Sequence, residues 1–369
     1  MPVTGPLQVA RISPQEAVDG DYVIVDVRSP REFAEGHTPG AVNLPLLDDR
    51  QRAAVGSAYK TRGAQHARVL AMDAVSPGLP TYLRSLSLLA RGGGRLAVMC
   101  WRGGERSRNV IVLLSTVGVH AAQVQGGYKA YRRWVLDGLE GWHPDRCVFT
   151  LYGHTGSGKT ELLRLLARLD RPGRPRPWVI DLEGLALHRG SLLGGLHQPR
   201  ERTQKDFDAL VWEALRRPAG DYLVVEGEGG KIGKLFLPES VAALVRGGRP
   251  VLVEAEADVR ADRILGEYRP ESWGPEDVAR FRRSLALIGE RLDPEQARSL
   301  RRAYDDGRFR DVVLRLLVAY YDPLYQRSSV DGRAFVCTLQ TGSDPRRDVR
   351  ALADGLDRAL EAQGSACSS

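Results

Sequence analysis

Hydrophobic positions in this chain fall into short continuous runs, and these alternate with stretches whose apolar residues recur at helical spacing. The run at 21–27, Asp-Tyr-Val-Ile-Val-Asp-Val, predicts a buried strand ending on an acid, with Pro30 to Phe33 opening a short helix behind it. A second run, 96–99, predicts a buried strand that stops at Cys100; Gly103 and Gly104 follow, and a helical pattern runs from near Val110 to Val117. A third, 149–152, enters the glycine-rich segment 153–160, and an amphipathic helix follows over 161–169. Runs at 178–181 and 222–226 predict two more strands with acids at their ends. From Pro275 the pattern is helical, over 277–291, 294–305 and 310–321. Buried strands alternating with helices predict parallel sheets and an α/β chain.

A chain of 369 residues is too long for one small core, and two domains are expected. The stretch 137–144, with two glycines, a proline and little pattern, marks the linker. The expected division is 1–138, a linker at 139–146, a second domain at 147–274, a helical region at 275–363 with a late strand returning to the second sheet, and a disordered tail at 364–369. No repeat is apparent. The formal net charge is +7, carried almost entirely by arginine, which suits phosphate through bidentate hydrogen bonds and admits a nucleic-acid partner without requiring one. Cys100, Cys147, Cys337 and Cys367 are far apart, so neither a disulfide framework nor a zinc site is expected, and a reducing compartment is. The first thirty residues lack an apolar run long enough for a signal peptide, and no stretch is apolar enough for a membrane span. A soluble cytoplasmic protein with no membrane partner is the expectation.

Cys100 is where chemistry is expected first. A thiol at the end of a buried strand, before a Gly-Gly pair and a helix N-terminus, sits at the floor of a cradle of backbone N–H groups, with Arg102 and Arg106 close in sequence. All three features stabilise a thiolate over a thiol. The second candidate is 153–160, which satisfies G-x-x-x-x-G-K-[ST] between a strand and a helix. Gly153, Gly156, Ser157 and Gly158 supply the backbone cradle for a di- or triphosphate, Lys159 reaches the terminal phosphates, and Thr160 is placed to hold Mg²⁺. Asp181 or Glu226 is the strand-end acid such a site calls for. Whether the loop binds a nucleotide or only a diphosphate stays open. The polar blocks 181–191, 194–195 and 204–207 read as a loop over this site, with His188, Arg189 and Ser191 facing ligand, and 226–233 as a second loop carrying Glu226, Glu228 and Lys231. Arg280, Arg282, Arg283, Arg298, Arg301 and Arg302 lie on the helical segments as an RNA-binding face or a solvated one, and the aromatic run 320–325 either stacks on a base or packs.

The segments DVRSPREFAEGHTPGAVNLP and CWRGGERS resemble a rhodanese domain, whose active cysteine ends a central parallel strand. In that family the Asp-Val-Arg and Gly-His-x-Pro-Gly-Ala segments shape the fold and the rim, which implies structural roles for Asp26, Arg28 and His37. The stretch 48–67, basic at its end with Lys60, Arg62 and the following Arg68, is an insertion that single rhodanese domains lack. The loop from Cys100 to Arg106 has seven residues, one more than persulfide-forming rhodaneses have, and resembles loops that surround phosphate or arsenate. Taken in order, DVRSPREF, VGSAYK, CWRGGERS, GHTGSGKT, DLEGLALHRGS, Gln204-Lys205 and GEGGKIGKLFLP resemble the tRNA 2-selenouridine synthases, a rhodanese domain fused to a P-loop domain, over roughly 8–330. One departure is Glu228-Gly229-Gly230-Lys231, where a more polar Glu-Ser-Arg type of sequence is expected.

The resemblance implies replacement of sulfur by selenium in the wobble 2-thiouridine of tRNA. The thione sulfur is first alkylated by geranyl diphosphate, and selenophosphate then supplies selenium as geranylthiol leaves. No permanently bound cofactor is implied, tRNA is the partner, and a selenophosphate-producing enzyme is a candidate second partner. From the residues alone two other classes remain open. One is a Cys-x5-Arg phosphatase or arsenate reductase fused to a small-molecule kinase, and the other is a nucleotide-gated tRNA-binding protein without catalysis.

Overall fold

The computed structural model describes residues 9–91, 94–188, 202–227, 229–326 and 332–366. It forms two compact units, Met1–Leu139 with Thr203–Trp212, and Glu140–Arg202 with Glu213–Ser369.

The first unit runs β1 (Arg11–Ile12), α1 (Pro14–Asp19), β2 (Tyr22–Asp26), α2 (Pro30–Ala34), β3 (Val42–Asn43), α3 (Asp49–Val75), α4 (Leu79–Ala90), β4 (Arg95–Met99), α5 (Glu105–Thr116), β5 (Ala121–Val124) and α6 (Gly127–Glu140). Its sheet is wholly parallel, in the order β1-β5-β4-β2-β3. The central strand β4 has Leu96 to Met99 fully buried, which is why that run reads as continuously apolar. Ser29 caps α2 and Asp48 caps α3, each in a reciprocal capping box with the residue three positions on. The insertion expected at 48–67 is α3, a longer element that continues to Val75 and is interrupted by left-handed Gly63.

The second unit runs β6 (Val148–Tyr152), α7 (Lys159–Leu166), β7 (Pro177–Ile180), α8 (Leu182–Ala186), then α9 (Gln204–Leu215), whose residues to Trp212 belong to the first unit, followed by β8 (Tyr222–Glu226). A hairpin of β9 (Lys231–Ile232) and β10 (Leu235–Phe236) leads to α10 (Glu239–Gly247), β11 (Arg249–Glu254) and α11 (Ala257–Tyr268). Next come α12 (Pro275–Gly289), α13 (Pro294–Asp305), α14 (Phe309–Leu316), α15 (Asp322–Tyr325), β12 (Cys337–Gln340) and α16 (Pro345–Ala366). The second sheet is also wholly parallel, β12-β11-β6-β8-β7.

Three expectations need correction here. The boundary at 275 falls inside one core, because Ala261, Ile264 and Tyr268 of α11 already pack with α12, α13 and α14. The late strand expected to return to the second sheet is β12, parallel to β11, and α16 follows it back, where Leu352 and Leu356 join Phe149, Leu151 and Val253. Of the tail expected to be disordered at 364–369, residues 364–366 continue α16, and 367–369 lie outside the described residues. The polar block read as a loop over the P-loop is helical at both ends. Leu182 and Ala186 of α8 are buried, and Phe207, Ala209 and Val211 of α9 are buried. Among the described residues no helix is long and apolar enough to cross a membrane.

Candidate active site

Both candidate loops leave the C-terminal end of the central strand of a parallel sheet, where ligands bind in open α/β folds. In the first unit the Cys100 side chain, 3% exposed, accepts hydrogen bonds from the Gly104 N–H and the Ser107 hydroxyl, each at 3.3 Å. The Gln123 amide, brought opposite Val98 by the β4–β5 pairing, donates to the Ser107 oxygen at 2.9 Å and to the Gly103 and Gly104 carbonyls at 3.0 and 3.1 Å. The Ser107 hydroxyl thus has two acceptors in reach at 3.3 Å, the Cys100 sulfur and the Gly104 carbonyl. The loop is pressed against the turn before α6: the Tyr128 N–H donates to the Cys100 carbonyl at 2.9 Å, and a Cβ on Gly127 would stand 2.1 Å from that same oxygen.

Arg106 reaches Glu32 of α2 at 2.7 Å, and Arg52 of α3 approaches the same carboxylate at 3.5 Å. Burial alone would raise the Glu32 carboxyl, but the Arg106 hydrogen bond and charge outweigh it and hold the group below the usual carboxylate range. Arg102 is exposed at the loop's edge. Below, Arg28 is fully buried, paired with Asp26 at 2.7 Å, donating to the Glu32 and Gly36 carbonyls, and stacked 3.9 Å from the Tyr128 ring centroid. Burial of Tyr128 raises its hydroxyl to about 12. His37 stacks on Phe33 and meets Asp206 of α9 at 3.4 Å. Asp26, Arg28 and His37 thus support the backbone around the cysteine loop and do not touch sulfur.

In the second unit Gly153, Gly156 and Gly158 all adopt positive φ, and a Cβ on Gly153 would lie 2.0 Å from the Val253 carbonyl. Lys159 Nζ donates to the Gly153 and His154 carbonyls at 2.5 and 3.4 Å, so the loop closes around its ammonium. Burial lowers His154 below the ordinary imidazole value. The loop is tied from outside by Arg260 to the Thr155 carbonyl (2.8 Å) and by Arg263 to the Ser157 carbonyl (2.8 Å); Asp322 pairs with Arg260 at 2.5 Å. The Tyr325 hydroxyl accepts the Gly153 N–H at 2.7 Å, and its ring lies against His154. That resolves one aromatic of the 320–325 run as part of this site.

A family model for the tRNA 2-selenouridine synthase AAA domain matches residues 146–344, and a rhodanese-like domain model matches 14–133. The chain is 35% identical over 342 residues to a tRNA 2-selenouridine synthase of Cupriavidus necator, covering 84% of this chain and 89% of the relative. It is 35% identical over 329 residues to one of Hydrogenovibrio crunogenus, covering 82% and 88%. The chain belongs to the tRNA 2-selenouridine synthase family. With a third member, from Nitrosomonas eutropha, identity is 34% over 253 residues, and this chain spans 67% of itself but 63% of that relative's length.

Within this tRNA 2-selenouridine synthase family frame, the remaining predicted residues separate clearly. Glu226 is buried at the end of β8, the strand beside β6, and so holds the strand-end acid position. Asp181 instead caps α8 through the Gly184 N–H at 2.6 Å and pairs with Arg164 at 2.8 Å. The carboxylate beside the Thr160 hydroxyl is Glu183, at 3.3 Å. His188 is half-buried against Gly233 of the β9–β10 hairpin, and Lys231 lies over the Phe236 ring at 5.2 Å. Arg189, Ser191 and Glu228 lie outside the described residues. Gln204 and Lys205 sit in α9 in the first unit, bonded to Asp208 and Glu35. Arg282, Arg283, Arg298, Arg301 and Arg302 are exposed on α12 and α13, and Arg280 pairs with Glu276. Sequence reading missed Ser107, Gln123, Glu183, Arg260, Arg263 and Asp322. Of these, Ser107, Glu183 and Asp322 carried a signal, as members of segments already singled out.

Proposed function

We propose that this chain is a tRNA 2-selenouridine synthase that replaces sulfur by selenium through an S-geranylated intermediate, with one step in each unit. The observation that carries the proposal is the pairing, in one family member, of a cradled cysteine and a P-loop, each at the end of a central parallel strand.

In the first step the thione sulfur of the wobble 2-thiouridine attacks C1 of geranyl diphosphate. A C–S bond forms, the C–O bond breaks, diphosphate leaves with the electron pair, and the base loses its ring N–H proton. The P-loop N–H groups and Lys159 fit the leaving diphosphate, whose charge grows as the bond breaks. Thr160 and the neighbouring Glu183 are suited to hold Mg²⁺, which would add positive charge there when bound.

In the second step the Cys100 thiolate attacks phosphorus of selenophosphate and the P–Se bond breaks, so hydroselenide leaves with its electron pair. Hydroselenide attacks C2, the C2–S bond breaks, and geranylthiolate departs and takes a proton. Water then frees phosphate and restores the thiolate. Arg102 and Arg106 neutralise the anion, and the Gly104 N–H and Ser107 hydroxyl hold sulfur for the attack. The tRNA is the macromolecular substrate, and the exposed arginines of α12 and α13 supply charge for its backbone. A selenophosphate-producing enzyme is the source of the selenium donor.

The test is mass spectrometry of nucleosides from 2-thiouridine-containing tRNA incubated with the protein and geranyl diphosphate, with and without selenophosphate. Geranylated thiouridine without selenophosphate and selenouridine with it are expected. Unchanged thiouridine, together with phosphate release from generic esters, would instead favour the phosphatase and kinase alternative. The division of labour predicts that Lys159→Ala loses geranylation at least tenfold while still selenating tRNA geranylated beforehand; a variant that geranylates but no longer selenates would overturn it.

A further inference from the structure

A cavity of about 1400 Å³ opens beside Cys100, entirely within the first unit. That exceeds the roughly 300–1,000 Å³ typical of pockets for drug-sized ligands, and a tetrahedral oxyanion on the cysteine loop would leave most of it empty. Its floor is Cys100 and Trp101, and its walls include Val55, Ala67, Ala71 and Val75 of α3 and Leu113 of α5. Cations stand around it: Arg106 and Arg52 paired to Glu32, Arg68 paired to Glu105, and Lys60 and Arg102, which have no ion-pair partner among the described residues.

A second observation comes from α3 itself. This helix is 27 residues long, yet only Ala58 and Ala67 are buried, while Tyr59 and Met72 on the cavity lining are 62% and 67% exposed. An uncovered apolar wall of this kind marks a binding surface. Unpaired cations near a thiol, with hydrocarbon walls beyond, match an amphipathic ligand whose polar head lies at Cys100 and whose apolar tail extends along α3.

We propose that this cavity holds the hydrocarbon chain of the S-alkylated nucleoside during selenation and retains the alkanethiol when the C2–S bond breaks and its sulfur takes a proton. The proposal rests on the two-step reading above and adds where the chain is held: in the unit that carries Cys100, separate from the P-loop. Cys100 and the cations meet the base and the selenium donor, while α3 and Leu113 cover the tail.

The experiment is a calorimetric titration of the full chain carrying Cys100→Ser, which blocks turnover, with S-methyl, S-butyl, S-octyl and S-geranyl 2-thiouridine nucleosides. Each buried methylene is expected to tighten binding by up to about fourfold, so geranyl should bind at least about a hundredfold more tightly than methyl. Adding Val75→Trp, which fills the cavity away from the cysteine loop, should shrink that ratio to within a few-fold and leave the S-methyl affinity unchanged. Equal affinity across the series overturns the proposal, and this readout does not depend on the fold of Val75→Trp. A geranyl preference that survives Val75→Trp in folded protein overturns it as well. If the nucleoside assay detects geranylation and selenation while the alkyl series is flat, the cavity proposal fails alone. If affinity rises with chain length while no geranylated tRNA forms, the cavity stands and the two-step reading fails.

Discussion

Ser107 stands between Cys100 and Gln123, accepting from the amide at 2.9 Å and donating to sulfur at 3.3 Å. Removing one of the two donors to a thiolate costs about 1.5–3 kcal/mol where the charged form is what reacts. Ser107→Ala should therefore slow selenation by about tenfold or more with geranylation unchanged, and Ser107→Thr should recover most of the rate; single-turnover assays of each half-reaction read the difference. Cys100, Arg102 and Arg106 could be read from spacing because strand, glycine pair and helix lie consecutively in the chain. Gln123 could not, since only the pairing of β4 with β5 brings it to the loop. Glu32 belongs to the same gap, a surface-looking helix acid that turns out to hold Arg106. Its carboxyl is lowered in the folded protein, so the stability it contributes is present above its unfolded value near 4.5 and is lost as pH falls through the folded value. As pH falls below about 4.5 the wild-type thermal midpoint should accordingly drop further than that of Glu32→Gln.

Backbone packing between elements sets the cysteine loop more tightly than any side chain does. Gly127 has φ +59° with a Cβ position 2.1 Å from the Cys100 carbonyl, whereas Gly40, at φ +77°, has open space around it. Gly40→Ala should cost only the left-handed strain, about 1 kcal/mol, while Gly127→Ala adds a backbone clash and should cost about 3 kcal/mol or more. Denaturant unfolding would rank them, and similar losses in the two variants would show that the loop is not pinned by this contact. The strands β2, β4, β6, β7 and β8 were legible as short apolar runs, whereas β1, β3, β5 and β11 were not read from the sequence. Nor was the helix α3, because its alanines, glycines and polar residues form no clear apolar stripe; the Asp48 capping box and the cavity it walls define it instead. The segment 181–187 misled for a related reason. Its polar residues cap and pair locally, Asp181 with Gly184 and Arg164, while Leu182 and Ala186 alone carry the burial.

At the scale of the whole molecule, order of motifs along the chain separates two functional halves, but it does not reveal that Thr203–Trp212, far downstream, completes the first unit. Among the contacts that hold that segment are Asp208 with Arg132 at 2.5 Å, Asp206 with the His37 backbone N–H at 3.0 Å and its ring at 3.4 Å, Lys205 with Glu35 at 3.7 Å, and Trp212 edge-on to Trp134. Sequence reading assigned Gln204 and Lys205 to a ligand loop because a polar pair beside a glycine-rich block has no local mark of helix docking. The Asp208 carboxylate is 6% exposed and Arg132 20%, so removing the acid leaves a largely buried guanidinium without its partner, a loss of about 3 kcal/mol. That loss should fall on one unit. In Asp208→Ala, hydrogen exchange of the β4 amides is expected to accelerate, with those of β6 unchanged, and Arg132→Ala combined with Asp208→Ala should cost less than the two single losses added together. Equal acceleration in both strands would mean that the segment stabilises the second unit as much as the first. No change in either would mean that the buried pair is dispensable and that Phe207, Val211 and Trp212 carry the docking.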